Sequence, residues 1–273
     1  MNAKSAHRRL LVAGALLASA ALSVPCLSAD LTLEPNGNVL LSGPIVEGDA
    51  DRLIALQQRS LAVSGRPLGY LHLSSPGGSV AEAAKLGALV EVFRLIVDVP
   101  RGTSCASSCF FVFVAAEQRF AMAPYAGAVR GKLGLHRPYL DPGAIDTASS
   151  SAGGAQRALM WQVKTYLSQR NVPQRLIDLM MTKSSRDIYW ANDSDIVELG
   201  SFSPAHEEMV IAKCGRTPDS GNALASAKTR QEFDEIAGSI DQISACDSAL
   251  VRRLQAREVP DLLSRMKTGW RPW

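Results

Sequence analysis

The chain has 273 residues, with 29 basic and 26 acidic side chains for a net charge of +3, so neither sign dominates. Nothing in this near balance resembles a nucleic-acid footprint, which would need basic residues clustered on one face, and no nucleic-acid partner is expected. Without an N-terminal leader, about 244 residues remain, enough for one sizeable α/β domain and an appendage.

Residues 1–29 have the form of an export signal. Lys4, Arg8 and Arg9 make a basic start, Leu10 to Leu22 is apolar, and Leu27-Ser28-Ala29 ends on the small residue that signal peptidase accepts. The apolar run is shorter than the ~20 residues of a spanning helix. Cys26 follows Pro25, with Ser23 where a lipobox wants Leu, so acylation is disfavoured. The expectation is cleavage after Ala29, a membrane association confined to the uncleaved signal, and a periplasmic or secreted mature chain. Four cysteines then remain, Cys105, Cys109, Cys214 and Cys246, in a compartment where disulfides persist. No closely spaced Cys and His ligands suggest zinc, and neither metal nor cofactor is expected.

In chain order, Leu31 to Leu33 and Val39 to Leu41 flank the turn signal Pro35-Asn36-Gly37 and predict a hairpin. Asp49 leads into Arg52-Leu53-Ile54-Ala55-Leu56, at helical spacing. Tyr70 to Ser74 reads as a strand that stops at Pro76. Ser79 can cap a helix with Val80, Ala83, Ala84, Leu86, Ala88, Leu89 and Val92 on its apolar stripe. Leu95 to Val99 is strand-like. Beyond Ser107, Phe110, Phe111, Phe113 and Val114 are apolar on too many sides for a surface helix, which predicts a buried one. Alternation of strand and helix argues for right-handed βαβ crossovers and a mostly parallel sheet, with ligands at the carboxyl ends of strands.

Asp141 to Gly154 reads as an exposed loop, followed by helices over Ala158 to Leu167 and Arg175 to Met181. Ile188-Tyr189-Trp190 is a short strand candidate, and Asn192 or Asp193 can cap a last short helix ending at Gly200. From Pro204 the pattern becomes charged, Ala-rich and helical, with Phe233, Ile236, Ile240 and Ile243 on one stripe. The division expected is a signal at 1–29, an α/β domain at 30–203 and a C-terminal helical appendage at 204–273. Cys214 and Cys246 bracket the appendage's first part, and a bridge between them would contribute roughly 3 to 4 kcal/mol in the chain-entropy picture.

Four segments carry chemistry: Ser74-Ser75-Pro76-Gly77-Gly78, Cys105-Ala106-Ser107-Ser108-Cys109, Leu135-His136-Arg137-Pro138 and Arg186-Asp187. They supply a backbone anion site, a hydroxyl nucleophile, a base and a carboxylate, the parts of a serine hydrolase. Gly77 and Gly78 lie between a strand and a helix start, where missing Cβ atoms let backbone amides approach a ligand; Gly78 is one oxyanion donor. Ser107 stands before the buried helix, with the Ser108 amide as second donor, although the G-x-S-x-G elbow signature is absent. Ser108 and Ser104 compete for the nucleophile's role, and a thiol from Cys105 or Cys109 is a further alternative. A bridge between those two cysteines requires Cys105 to lie outside the helix.

His136 precedes Arg137-Pro138, so its strand ends there and the imidazole sits at an element's edge, where a general base belongs. His7 leaves with the signal, His206 lies past the domain, and His72 is within a strand. Asp187 is the candidate orienting carboxylate, and Lys132 permits a Ser and Lys dyad instead.

From about Val39 to Phe202, the order and separation of these segments resemble the proteolytic subunit of the Clp protease (ClpP) and the wider ClpP/crotonase superfamily. Ser75-Pro76-Gly77-Gly78 is similar to that family's Ser-Pro-Gly-Gly oxyanion loop and Ala106-Ser107 to its Ala-Ser nucleophile step. His136-Arg137-Pro138 is similar to its His-Gln-Pro, and Arg186-Asp187-Ile188-Tyr189 to its Arg-Asp-Arg-Phe. The resemblance implies a repeated ββα spiral with a mostly parallel sheet. It also implies a Ser107, His136 and Asp187 triad and an oxyanion hole from Gly78 and Ser108. Two departures stand out: Ser108-Cys109 replaces the family's Met-Gly, and Cys105 and Cys109 are not part of the family pattern.

The function expected is an exported ClpP-like serine peptidase acting on peptides or unfolded protein segments. Export separates it from cytosolic ATPases, so no ATP-driven unfolding is carried over, and homo-oligomer formation is a family habit. The alternatives are a non-catalytic ClpP-like binding protein and crotonase-type thioester chemistry.

Overall fold

A computed structural model describes residues 29–121, 131–139, 151–184, 186–216, 227–269 and 271–272. The segment expected to be an export signal, apart from Ala29, lies outside the described residues, as does 141–150 of the expected loop.

The Pro35-Asn36-Gly37 turn joins β1 (Asp30–Leu33) and β2 (Val39–Ser42), paired antiparallel as expected, with Gly37 at φ 86°. Helix α1 (Asp49–Ser64) has no cap of its own; the amides of Gly48 and Ala50 donate instead to Oε1 of buried Glu82, at 3.1 and 2.8 Å. Strand β3 (Tyr70–Ser74) runs to the Pro76 corner, and α2 (Val80–Val92) follows with the Ser79 side chain accepting from the Glu82 amide. Then come β4 (Ile96–Asp98), β5 (Ser104–Ala106) and α3 (Cys109–Ala115), the last buried along its whole length as its all-round apolar sequence requires.

Strands β6 (Gln118–Phe120) and β7 (Lys132–Leu135) come next, then helices α4 (Ser151–Gln169) and α5 (Gln174–Thr182). Strand β8 (Tyr189–Trp190) precedes α6 (Asp193–Leu199), whose Asn192 cap forms a capping box with Asp195 and whose end is Gly200. Among the described residues, helices α7 (Pro204–Cys214) and α8 (Arg230–Lys267) follow.

The architecture is mixed α/β with mostly parallel pairing, but the strands form two sheets where one was expected. The larger has the order β1-β2-β3-β4-β6, parallel from β2 onward; the smaller is β5-β7-β8, with β5 and β7 parallel and β8 antiparallel. Strands β5 and β6 have three residues each, too few to show a period of two. Helix α4 begins at Ser151, so the expected loop to Gly154 ends earlier; its small residues disguise a helix that Val163 and Leu167 anchor in the core.

The core lies between the sheets and α2 and α3, with Leu41, Leu71, Leu73, Leu86, Phe110 and Phe113 fully buried. Val259, Leu263 and Met266 of α8 belong to the same apolar cluster. The Gln255 amide nitrogen lies within 3.3 Å of the carbonyls of Leu68, Phe93 and Arg94. Cys214 and Cys246 are at disulfide distance, 2.04 Å, joining α7 to α8. No helix among the described residues is long and apolar enough to cross a membrane.

Candidate active site

Strand β3 continues past its end toward the smaller sheet. The Ser75 amide donates to the Ser104 carbonyl (2.8 Å) and the Ala106 amide to the Ser75 carbonyl (2.9 Å), so the Ser-Pro-Gly-Gly corner abuts the end of β5. On its other side, the Ile45 amide donates to the Gly77 carbonyl and the Ser79 amide to the Ile45 carbonyl, both at 2.9 Å. These bonds hold the corner between β5 and the bridge residue Ile45. Gly77 has φ +93°, and a Cβ there would meet the Ala106 carbonyl and Ser107 Cβ at 2.6 Å. Only glycine fits this contact with the Ser107 turn.

Ser107 occupies the left-handed region at φ 56°, a conformation that costs a residue with a Cβ roughly 1–2 kcal/mol. Its amide donates to the Gly134 carbonyl at 2.9 Å, and it is partly exposed, whereas the Ser108 hydroxyl is buried with no hydrogen-bond partner. A left-handed residue at a strand-to-helix turn is the backbone arrangement that a nucleophile elbow uses, here without the usual glycines. Among the described residues, the amides of Gly78 and Ser108 donate no hydrogen bond.

The register of β5 and β7 pairs Ala106 with Gly134, so Ser107 and His136 both leave neighbouring parallel strands at their carboxyl ends. His136 is 6% exposed and stacks on Tyr139 with ring centroids 6.0 Å apart. Its Nδ1 lies 2.9 Å from the Arg137 carbonyl. A carbonyl only accepts, so Nδ1 is the donor of this contact, which leaves Nε2 as the nitrogen facing away from it.

Asp187 follows the same edge, because β8 pairs antiparallel with Leu135 opposite Tyr189. Its carboxylate does not bond to His136: it is 65% exposed and lies 3.6 Å from Lys183 Nζ. The fold therefore brings Ser107, His136 and the two amides to one edge and leaves the Asp187 carboxylate turned aside.

The other thiol and base candidates are engaged or placed elsewhere. Cys105 and Cys109 are at disulfide distance, 2.06 Å, with Cys105 in β5 and Cys109 opening α3, so neither offers a free thiol. Lys132 pairs with Ser104 at the opposite end of the strands, about 10 Å from the Ser107 level at the usual rise per residue. His72 is engaged by Asp98 and, at 3.4 Å, by Glu34. His206 is buried against Asp247 at 3.0 Å and Glu117 at 3.7 Å. Among the described residues no group of three or more His, Cys, Asp or Glu side chains is arranged to hold a metal ion.

Gly134 is the site residue that motif reading passed over. A Cβ there would meet Ile188 Cγ2 at 2.8 Å and Ala106 Cβ and Trp190 Cζ3 at 2.9 Å. A glycine between Leu133 and Leu135 was its signal, since glycine inside a strand marks a close approach. Ile188 and Trp190, 37% and 44% exposed, flank it as an apolar wall.

No protein-family model matches this chain, and no curated protein matches it. Among solved structures it is similar to a ClpP1 mutant from Listeria monocytogenes, at 13% sequence identity and a TM-score of 0.44, over 60% of this chain and 86% of that one.

Proposed function

We propose that this protein is an exported serine hydrolase of the ClpP-like type that cuts peptide bonds in peptides or unfolded segments without ATP. The observation that carries the reading is the backbone of Ser107: left-handed, held between Gly77 and Gly134, and flanked by two undonated amides. Strain of this kind persists where the surrounding structure enforces it, and it concentrates at functional sites.

In this reading His136 Nε2 takes the Ser107 proton as Oγ attacks the scissile carbonyl. The oxyanion so formed is held by the Gly78 and Ser108 amides, a type of contact worth ~100- to 1000-fold in rate per donor. His136 then returns the proton to the leaving amine, and water repeats the sequence to release the acyl group. The Arg137 carbonyl fixes the imidazole tautomer, and Asp187 supports the imidazolium once its carboxylate swings from Lys183. Ile188 and Trp190 offer an apolar wall to a substrate side chain.

The exposure of Asp187 and its pairing with Lys183 favour a second reading, a binding protein that keeps the elbow without turnover. A fluorophosphonate probe separates them. Labelling of the folded protein that is lost in Ser107→Ala and kept in Ser108→Ala supports the hydrolase; no labelling supports the binding protein. Acyl-thioester turnover that survives Ser107→Ala would point to crotonase-type chemistry.

A further inference from the structure

We infer that the Cys105–Cys109 bridge is a positioning device that holds Ser107 in its left-handed, attack-ready conformation, an inference that rests on the hydrolase reading above. Its two ends are anchored independently. Cys105 is paired through β5 with Leu133 on one side and with Ser75 on the other, so it cannot shift without disrupting both neighbours. Cys109 is the first residue of a helix whose every side chain is buried. Both cysteines are 0% exposed, and the loop they close has Ser107 at its centre.

Two local costs oppose this loop. Ser107 is left-handed without being glycine, and the Ser108 hydroxyl is buried unpartnered, a burden of about 1–3 kcal/mol. Without the bond, strand pairing and helix burial still place Cys105 and Cys109 but tolerate a local rotation between them, which would let Ser107 return to the right-handed region and Ser108 turn to solvent. A covalent link between strand and helix removes that escape, because it fixes the chain direction on both sides of two residues. The Ser107 amide bond to Gly134 and the Gly77 contact then select the one conformation left. The bridge touches no reacting atom and acts only through the backbone of Ser107.

The test is the double variant C105A/C109A in the full mature chain, with C214A/C246A as the control for losing a bridge elsewhere. Two quantities are read: the rate of fluorophosphonate labelling at Ser107, and the 13Cα and 13Cβ shifts of Ser107, which report its φ. The expected result is a labelling rate about 10- to 100-fold lower, in line with the penalty for a misplaced reacting group, together with a shift to right-handed values. The C214A/C246A control keeps both readouts. Unchanged shifts overturn the inference, whatever the rate does, because the bridge would then not act through the Ser107 backbone. If the wild-type chain is not labelled, the hydrolase reading fails and the shifts alone decide the positioning role. If the alanine pair does not fold, C105V/C109A restores the lost volume without the bond and is read in the same way.

Discussion

The Ser107 amide donates to the Gly134 carbonyl at 2.9 Å, which ties the nucleophile candidate to the strand that leads into His136. The bond depends on β5 and β7 lying close, and Gly134 permits this by having no side chain. In Gly134→Ala the new Cβ would meet Ala106, Ile188 and Trp190 at 2.8 to 2.9 Å. Overpacking of this kind costs about 1–3 kcal/mol. The expected outcome is a labelling rate at least about tenfold lower, with changed Trp190 fluorescence as β8 is displaced.

Gly77→Ala is expected to be worse than an ordinary left-handed glycine substitution. Gly102, at φ +79°, has nothing within 4 Å of an added Cβ, whereas at Gly77 the Cβ would press on Ala106 and Ser107 at 2.6 Å. Gly102→Ala should therefore cost only the backbone term, about 1–2 kcal/mol. Gly77→Ala should cost more and abolish labelling. Urea midpoints and probe labelling of the two variants make the comparison.

Asp187→Asn tests the third triad member. If the carboxylate reaches His136 in turnover, peptidase activity should fall by about 100- to 10,000-fold, and Lys183→Met, which frees the carboxylate, should preserve activity or raise it. A loss below twofold in Asp187→Asn would leave the Arg137 carbonyl as the group that orients His136.

Arg119 is a buried guanidinium that, among the described residues, bonds only to carbonyls: Nε to Gly200 (3.2 Å), Nη1 to Val114 (2.8 Å) and Nη2 to Leu199 (2.9 Å). Burial lowers its pKa to about 10, and its role is to satisfy the closing carbonyls of α3 and α6 together. Arg119→Met should destabilise the fold by about 2–4 kcal/mol. Arg119→Lys should recover only part of this, because an ammonium cannot reproduce the planar fork. Chemical denaturation gives both values.

Burial opposes a charge on His206, but Asp247 and Glu117 outweigh it and hold its pKa up to about 9. The unfolded chain binds that proton only below about pH 6.5. The stabilisation is thus complete below that pH and is lost as pH rises through 9. Melting temperature should fall between pH 6.5 and 9 in the native chain. His206→Gln should melt lower at pH 6 and show a flatter profile across the window.

The hairpin at Pro35-Asn36-Gly37, the Ser79 cap, the buried character of α3 and the Asn192-to-Gly200 helix were legible because each depends on residues within one turn or one helical period. Strands β5 and β6 were not, since Ser104-Cys105-Ala106 and Gln118-Arg119-Phe120 lack the apolar run that marks β4, and only their neighbours make them strands. Among candidate site residues, Gly78, Ser107, Ser108, His136 and Asp187 were named from motif order, the Asp187 carboxylate lies apart from His136, and Gly134 emerged only when β5 was seen to lie against it.

By itself the sequence determined which residue types are available and in what order: a glycine corner, a serine before an apolar run, a histidine before Arg-Pro. Local chemistry writes those. Tertiary structure alone decided that Ser107 is left-handed and Ser108 buried, that Cys105 and Cys109 meet across the turn, and that the Asp187 carboxylate faces Lys183 instead of His136. Each of these depends on strand register and side-chain packing between segments distant in sequence, where no local pattern carries the information.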